Sequence, residues 1–310
     1  MDSSDDRTAS LMTPAKLAQV AGEATAPATP AIFLDRMAAD IGHQHTERLA
    51  QLREQLDAQS QDRLEQAGDI RAALQGMLDV LPRIDFSPLQ QRNWWADLTG
   101  KSRTTGSAFA STFDQVDDLA QKLASAIAAQ QKQQALGAAA QDRTIVEFDV
   151  EYHALDKVIH QGARWLQDMR NQIKAGLAQT DASQQDPRDD DARCELLVER
   201  LKLLRAAAAA SQQAHEEVVA TATRRTDLAQ SMGRLSTVHL QSWRSSLSAL
   251  ASAAVGGKAP TPMLNEAIKA QGKLRKKLEA LLADVAQLAT HESTLVVQLA
   301  AMGEQLAAVA

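Results

Sequence analysis

FASTFDQVDDLAQKLASAI, residues 109–127, and IVEFDVEYHALDKVI, residues 145–159, decide how this chain folds. Phe109, Phe113, Val116, Leu119, Leu123, Ile127, Ile145, Phe148, Tyr152, Leu155 and Ile159 recur at intervals of three and four, and Leu166, Met169 and Ile173 carry the seam towards Leu177 without a proline. That spacing gathers the apolar side chains near one helical face. A stripe so narrow and so long is the mark of a coiled-coil helix, which cannot bury itself and needs partner helices. At 1.5 Å per residue the sequence predicts a rod of about 100 Å.

The middle of the seam changes character. Residues 129–134 read AQQKQQ, and Gly137 and Gln141 follow, so core positions there become polar or small. Such a stretch is either a hairpin tip near Gly137 or a continuous helix whose polar layer fixes register or marks where its partners end. No proline or Asn-Gly pair offers a turn and the spacing resumes after one slip, so the continuous helix is the expectation.

Outward from this helix, the chain offers further partners. A polar linker, Gln179 to Asp191, reverses direction, and its acids suit a helix N-terminus better than a metal loop, which needs alternating ligands and a glycine bend. The next helix is read over 191–254 through Leu197, Leu201, Leu204, Val218, Leu228, Met232, Leu235, Trp243 and Leu250, until Gly256, Gly257, Pro260 and Pro262 break it. A last helix over 263–308 carries Leu264, Ile268, Leu278, Leu281, Val285, Leu288, Leu295, Leu299, Met302 and Leu306. Upstream, 1–29 reads as a flexible leader, and 30–105 as N-terminal helices followed by an irregular segment holding Trp94 and Trp95. Thr29 and Pro30 suit a helix start, and Pro82 stops the stripe that ends at Leu81. The expected fold is all-α: an elongated antiparallel coiled-coil-like bundle of three long helices (106–177, 191–254, 263–308) within 106–310, with the N-terminal helical segment packed on it.

Composition agrees and narrows function. Of 310 residues 45% are hydrophobic but only 3% aromatic, so the core is mostly Ala and Leu, which favours close helix packing over strands. A formal charge of −6 argues against nucleic-acid binding. The local basic run Lys273, Arg275, Lys276, Lys277 is read as a solvated helix face that could meet an anion or a membrane surface. The one cysteine, Cys194, shares the apolar series Leu197, Leu201, Leu204 and is expected to be buried, in a reducing compartment. An acidic start with no apolar h-region predicts no cleaved export signal, and no run of 18 apolar residues predicts a membrane span.

The search for chemistry returns little. His153 and His160 lie seven apart near Asp156, but a bundle metal site needs Glu-x-x-His repeated on facing helices, and His43 and His45 point to different sides. No nucleophile motif or glycine-rich phosphate loop occurs. The expectation is a protein that is not an enzyme and holds no metal or cofactor.

The order of features over residues 65–254 resembles the TelA-like toxic anion resistance proteins. The resemblance rests on Gly76-Met-Leu-Asp-Val-Leu-Pro82, then Phe109-Ala-Ser-Thr-Phe113-Asp114 opening a long helix, Leu155 to Met169, the Asp186-Pro187 turn, and Thr237-Val-His-Leu-Gln-Ser-Trp243-Arg244. Arg224 and Arg225 stand where the family pattern has an asparagine pair, and Gln241 where it has a proline, so only Phe113 and Trp243 carry over, as packing or interaction points. The resemblance implies a cytoplasmic, all-helical, non-enzymatic protein linked to tellurite, envelope or phage-related stress resistance. A lone cysteine supplies no reductive chemistry, so the role is expected to run through protein partners, self-association along coiled-coil faces, or peripheral membrane contact, with Trp94, Trp95, Phe113, Trp243, Lys273, Arg275, Lys276 and Lys277 as interaction candidates. The competing expectation is a soluble subunit of an α-helical pore-forming toxin, with Leu247 to Val255 as its apolar segment.

Overall fold

The computed structural model describes residues 40–90, 101–179, 187–256 and 259–309. Its elements are α1 (His43–Val80), a 3-10 turn (Leu81–Arg83), a short α2 (Ser87–Gln90), α3 (Lys101–Gln179), α4 (Pro187–Arg234), a π-helical turn (Leu235–Leu240), α5 (Gln241–Val255) and α6 (Thr261–Val309). Among the described residues there is no strand, and four long helices pack together. The leader at 1–29, Thr29, Pro30, Trp94 and Trp95 lie outside the described residues. By packing, the described residues divide into two units, one of 40–41, 160–179 and 187–202, the other of 42–90, 101–159, 203–256 and 259–309.

In the larger unit, cross-helix contacts fix the direction of every helix. His45 Nδ1 meets Glu151 at 2.8 Å, Arg48 Nη2 meets Glu147 at 2.5 Å and Arg63 Nη2 donates to Gln141 at 2.5 Å, so numbers rise along α1 as they fall along α3. Gln131 Nε2 donates to the Ala229 carbonyl at 3.1 Å, and Arg244 Nε meets Asp117 at 2.5 Å, which sets α3 against α4 and α5. Arg225 binds Glu292 between α4 and α6, and Gln271 Nε2 donates to the Leu81 carbonyl at 3.0 Å where α6 meets the end of α1. Each helix is antiparallel to both neighbours, the up-down-up-down arrangement of a four-helix bundle. Where the stripes suggested three long helices carrying an N-terminal segment, α1 is a fourth wall. Its Leu49, Leu52, Leu56, Ile70, Leu74 and Met77 are buried on the same spacing as the seams of the others.

The interior is two apolar regions separated by a polar layer. At one end Phe109, Phe113, Val116, Leu123 and Ile127 of α3 pack with Leu74 and Met77 of α1, Trp243 and Leu247 of α5, and Leu274 and Leu278 of α6. Beyond the layer, Phe148 and Leu155 of α3, Leu204 and Val218 of α4, and Leu295 and Leu299 of α6 are buried again. Between Ile127 and Phe148, α3 buries only Thr144. The helix nevertheless runs unbroken through Gly137, as its lack of turn residues predicts.

Two departures from a plain helix have local causes. Pro82 ends α1 in a 3-10 turn, and Asp85 accepts from the Ser87 amide at 2.8 Å to start α2, so that Leu81, Ile84 and Leu89 cap the first core with the Phe86 ring 5.8 Å from Phe109. Between α4 and α5 the buried series runs Leu228, Met232, Leu235, then Leu240, Trp243, Leu247. The step of five from Leu235 to Leu240 exceeds a helical turn. A π-turn absorbs the extra residue and returns the seam to the core. The sequence had read this region as one uniform helix.

In the smaller unit, residues 160–179 of α3 and 187–202 of α4 lie side by side, with Arg170 Nη2 donating to Glu195 at 2.6 Å. Cys194, Leu197 and Leu201 are buried there, and a methyl on Gly162 would press on Ile41 and Leu201.

Candidate functional site

The stretch of α3 from Ala129 to Val150 is where this bundle departs most from simple packing. From Gln130 to Gln141 its inward side is Gln-rich and small, so it cannot fill the space between the helices. The result is a cavity of about 650 Å³ lined from α1, α3, α4 and α6. Arg225 of α4 and Glu292 of α6 form its innermost ion pair, with Arg225 Nε and Nη2 each 2.5 Å from a Glu292 oxygen, and their side chains are 13% and 1% exposed. On α1, Arg63 gives Nη2 to Gln141 and keeps Nη1 buried without a partner, as are Gln59 Oε1 and Gln130 Oε1. At the mouth stand the exposed Asp62 and Asp142, beside Ala135, Gly137 and Ala138, where no side chain is large enough to close it.

The outward side of the same stretch leaves large apolar side chains uncovered. Leu136 is 78% exposed, Val146 61% and Val150 57%. With the exposed Ala139 and Arg143 they recur at three, four, three and four, a second heptad seam on the opposite side of α3 from Thr144, Phe148 and Leu155. Exposed apolar residues scattered singly need no explanation, but a regular stripe does. Asp142, Glu147 and Asp149 flank it at the positions that set partner choice in coiled coils.

The interaction candidates that lie among the described residues fall elsewhere. Phe113 and Trp243 are both in the first core, ring centroids 5.7 Å apart, so they pack rather than present a surface. Lys273, Arg275, Lys276 and Lys277 are exposed on α6, and Arg275 Nε meets Glu279 on its own helix at 2.8 Å. Trp94 and Trp95 are outside the described residues. Leu247, Leu250 and Ala254 of the segment weighed as membrane-active are buried in the bundle, and among the described residues no helix is long and apolar enough to cross a membrane. His153 meets Asp149 on its own helix, and among the described residues no group of three or more His, Cys, Asp or Glu is placed to hold a metal.

Histidines do link helices. His45 pairs with Glu151, and His291 Nδ1 meets Glu217 at 2.7 Å. His215 Nε2 lies 3.5 Å from Asp149, its ring stacked on Phe148, and burial holds its pKa below the ordinary histidine value.

Sequence inspection missed both the cavity and the outer seam. Glu292 interrupts the apolar series Val285, Leu288, Leu295, Leu299, and a lone acid on such a stripe signals a buried charge pair. Leu136, Val146 and Val150 repeat at heptad spacing out of phase with the inner seam, which signals a second face. Compared with family models, curated proteins and solved structures, the chain matches none.

Proposed function

We propose that this chain is a non-enzymatic interaction protein that receives a partner helix on the outer seam of α3. The exposure of Leu136, Val146 and Val150 at heptad spacing supports this reading above all else. The expected occupant is an amphipathic helix of another protein with basic residues beside its apolar stripe. Charge argues for that choice. Glu147 is already paired with Arg48, which leaves Asp142 and Asp149 as the acids beside the seam, and in an antiparallel pair of two copies these would face one another. The resemblance to TelA-like proteins adds a setting: a cytoplasmic scaffold serving resistance to tellurite, envelope or phage-related stress through protein or membrane-surface contacts.

The test is a paired substitution, Leu136→Glu with Val146→Glu. Both side chains are exposed, so thermal unfolding of the purified variant should match the parent. In a native-host extract the tagged parent should elute well above its 33.5 kDa chain mass, and the variant should return to it. Unchanged elution of the variant contradicts the proposal. A purified parent that is already dimeric, with the substitutions abolishing that dimer, replaces the heterologous partner by a second copy.

A further inference from the structure

The cavity between the four helices carries a charge gradient from floor to mouth. Deep inside, the Arg225 charge is matched by Glu292, but Arg63 Nη1 is buried without a hydrogen-bond partner. At the entrance the order reverses, with Asp62 and Asp142 the exposed carboxylates of the lining. Between them Gln59 and Gln130 present buried amide oxygens that accept from nothing, and Ile70 and Leu228 add an apolar wall. A buried polar atom without a partner is costly, and three around one cavity mark a place where water or a polar solute completes the hydrogen bonding. The volume of about 650 Å³ lies within the usual range for small-molecule sites.

Each single-charge ligand fails one part of this arrangement. A carboxylate alone would satisfy Arg63 but set a further anion against the carboxylates of the rim. An amine alone would suit the rim and leave the guanidinium unmatched. We infer that the cavity binds a small aliphatic zwitterion of the amino-acid type, its carboxylate turned inward to Arg63 Nη1 and its ammonium outward towards Asp62 and Asp142. The methylenes between would lie against Ile70 and Leu228. This site opens on the opposite side of α3 from Leu136, Val146 and Val150 and shares with the flank of that seam only Asp142.

Calorimetric titration of the full-length protein tests it with 5-aminopentanoate and L-glutamine as zwitterions, and with pentanoate and pentylamine as single-charge controls. At least one zwitterion should bind saturably at millimolar concentration or below, and both controls at least tenfold more weakly. Arg63→Met should weaken the zwitterion tenfold or more. Asp142→Asn, on an exposed side chain that leaves the bundle intact, should weaken it measurably and should not strengthen pentylamine binding. Absence of zwitterion binding, equal binding of all four compounds, or unchanged affinity in folded Arg63→Met would overturn the inference. Should Arg63→Met fail to fold, unchanged affinity in Asp142→Asn overturns it alone.

Discussion

Replacing Glu292 by glutamine probes the polar layer where its energetics are sharpest. The pair it forms with Arg225 is nearly shut from water, with side chains 1% and 13% exposed and two contacts of 2.5 Å. Glutamine keeps the shape and one acceptor but removes the counter-charge, which strands a guanidinium in a low-dielectric site. Breaking a buried pair from one side costs about 3–5 kcal/mol, far more than the pair contributes against an apolar replacement. With a urea slope of about 3 kcal/mol/M, the unfolding midpoint should fall by about 1–1.7 M. Replacing both partners, Arg225→Met with Glu292→Met, should recover most of that loss, because no charge is then left unmatched. As a control, Arg275→Ala removes an i,i+4 pair whose side chains are 63% and 49% exposed and should cost no more than about 0.5 kcal/mol. A Glu292→Gln loss below about 1 kcal/mol, or a double variant no better than the single one, would refute a desolvated pair at the bundle centre.

Two glycines of α1 and α3 should respond to alanine in opposite directions. A Cβ at Gly106 would collide with the Ala254 carbonyl where α3 and α5 approach, so Gly106→Ala should destabilise by about 1–3 kcal/mol, whereas at Gly68 nothing lies within 4 Å and alanine should stabilise by up to about 1 kcal/mol through helix propensity. Urea unfolding of both variants checks the pair, and equal signs would contradict the packing. The pH dependence also has a definite sign. Burial lowers the pKa of His215, against the pull of Asp149, and burial with Lys277 and Lys273 nearby lowers that of His239. Both native values therefore lie below the unfolded value of about 6.5, the native state binds fewer protons, and the stability these groups contribute is complete above that pH and lost as pH falls towards the native values. The urea midpoint should decline from pH 7.5 to 5.5, and His215→Gln should flatten the decline. A midpoint that rises on acidification would refute the assignment.

The apolar seams were legible because a stripe at three and four can be satisfied only by neighbouring helices. Phe109 to Ile127 and Leu264 to Leu306 announce helices whatever their partners. Who those partners are is a different question. Leu49 to Met77 carries as regular a stripe as α6, yet only cross-helix pairs such as Arg48 with Glu147 reveal it as a wall of the bundle. The π-turn left its trace in the step from Leu235 to Leu240, a spacing that is visible only once both residues are known to be buried. The polar run after Ala129 was legible as a break in the core, but its meaning was not. A cavity needs four helices to enclose it, and Gln59, Arg63, Gln130 and Glu292 come from three of them. Trp243 drew attention as an aromatic, and its 0% exposure beside Phe113 places it among packing residues.

The outer seam of α3 is the claim on which the functional account depends, and site-specific photocrosslinking in living cells tests it most directly. A benzophenone side chain placed in turn at Leu136, Ala139, Arg143, Val146 and Val150 should give one discrete adduct at each position. Placed at the equally exposed Ala283, Gln287 and Ala301 of α6, it should give none. Adducts confined to the heptad positions would support a helix seated on that face, and equal or absent labelling on the two helices would contradict it.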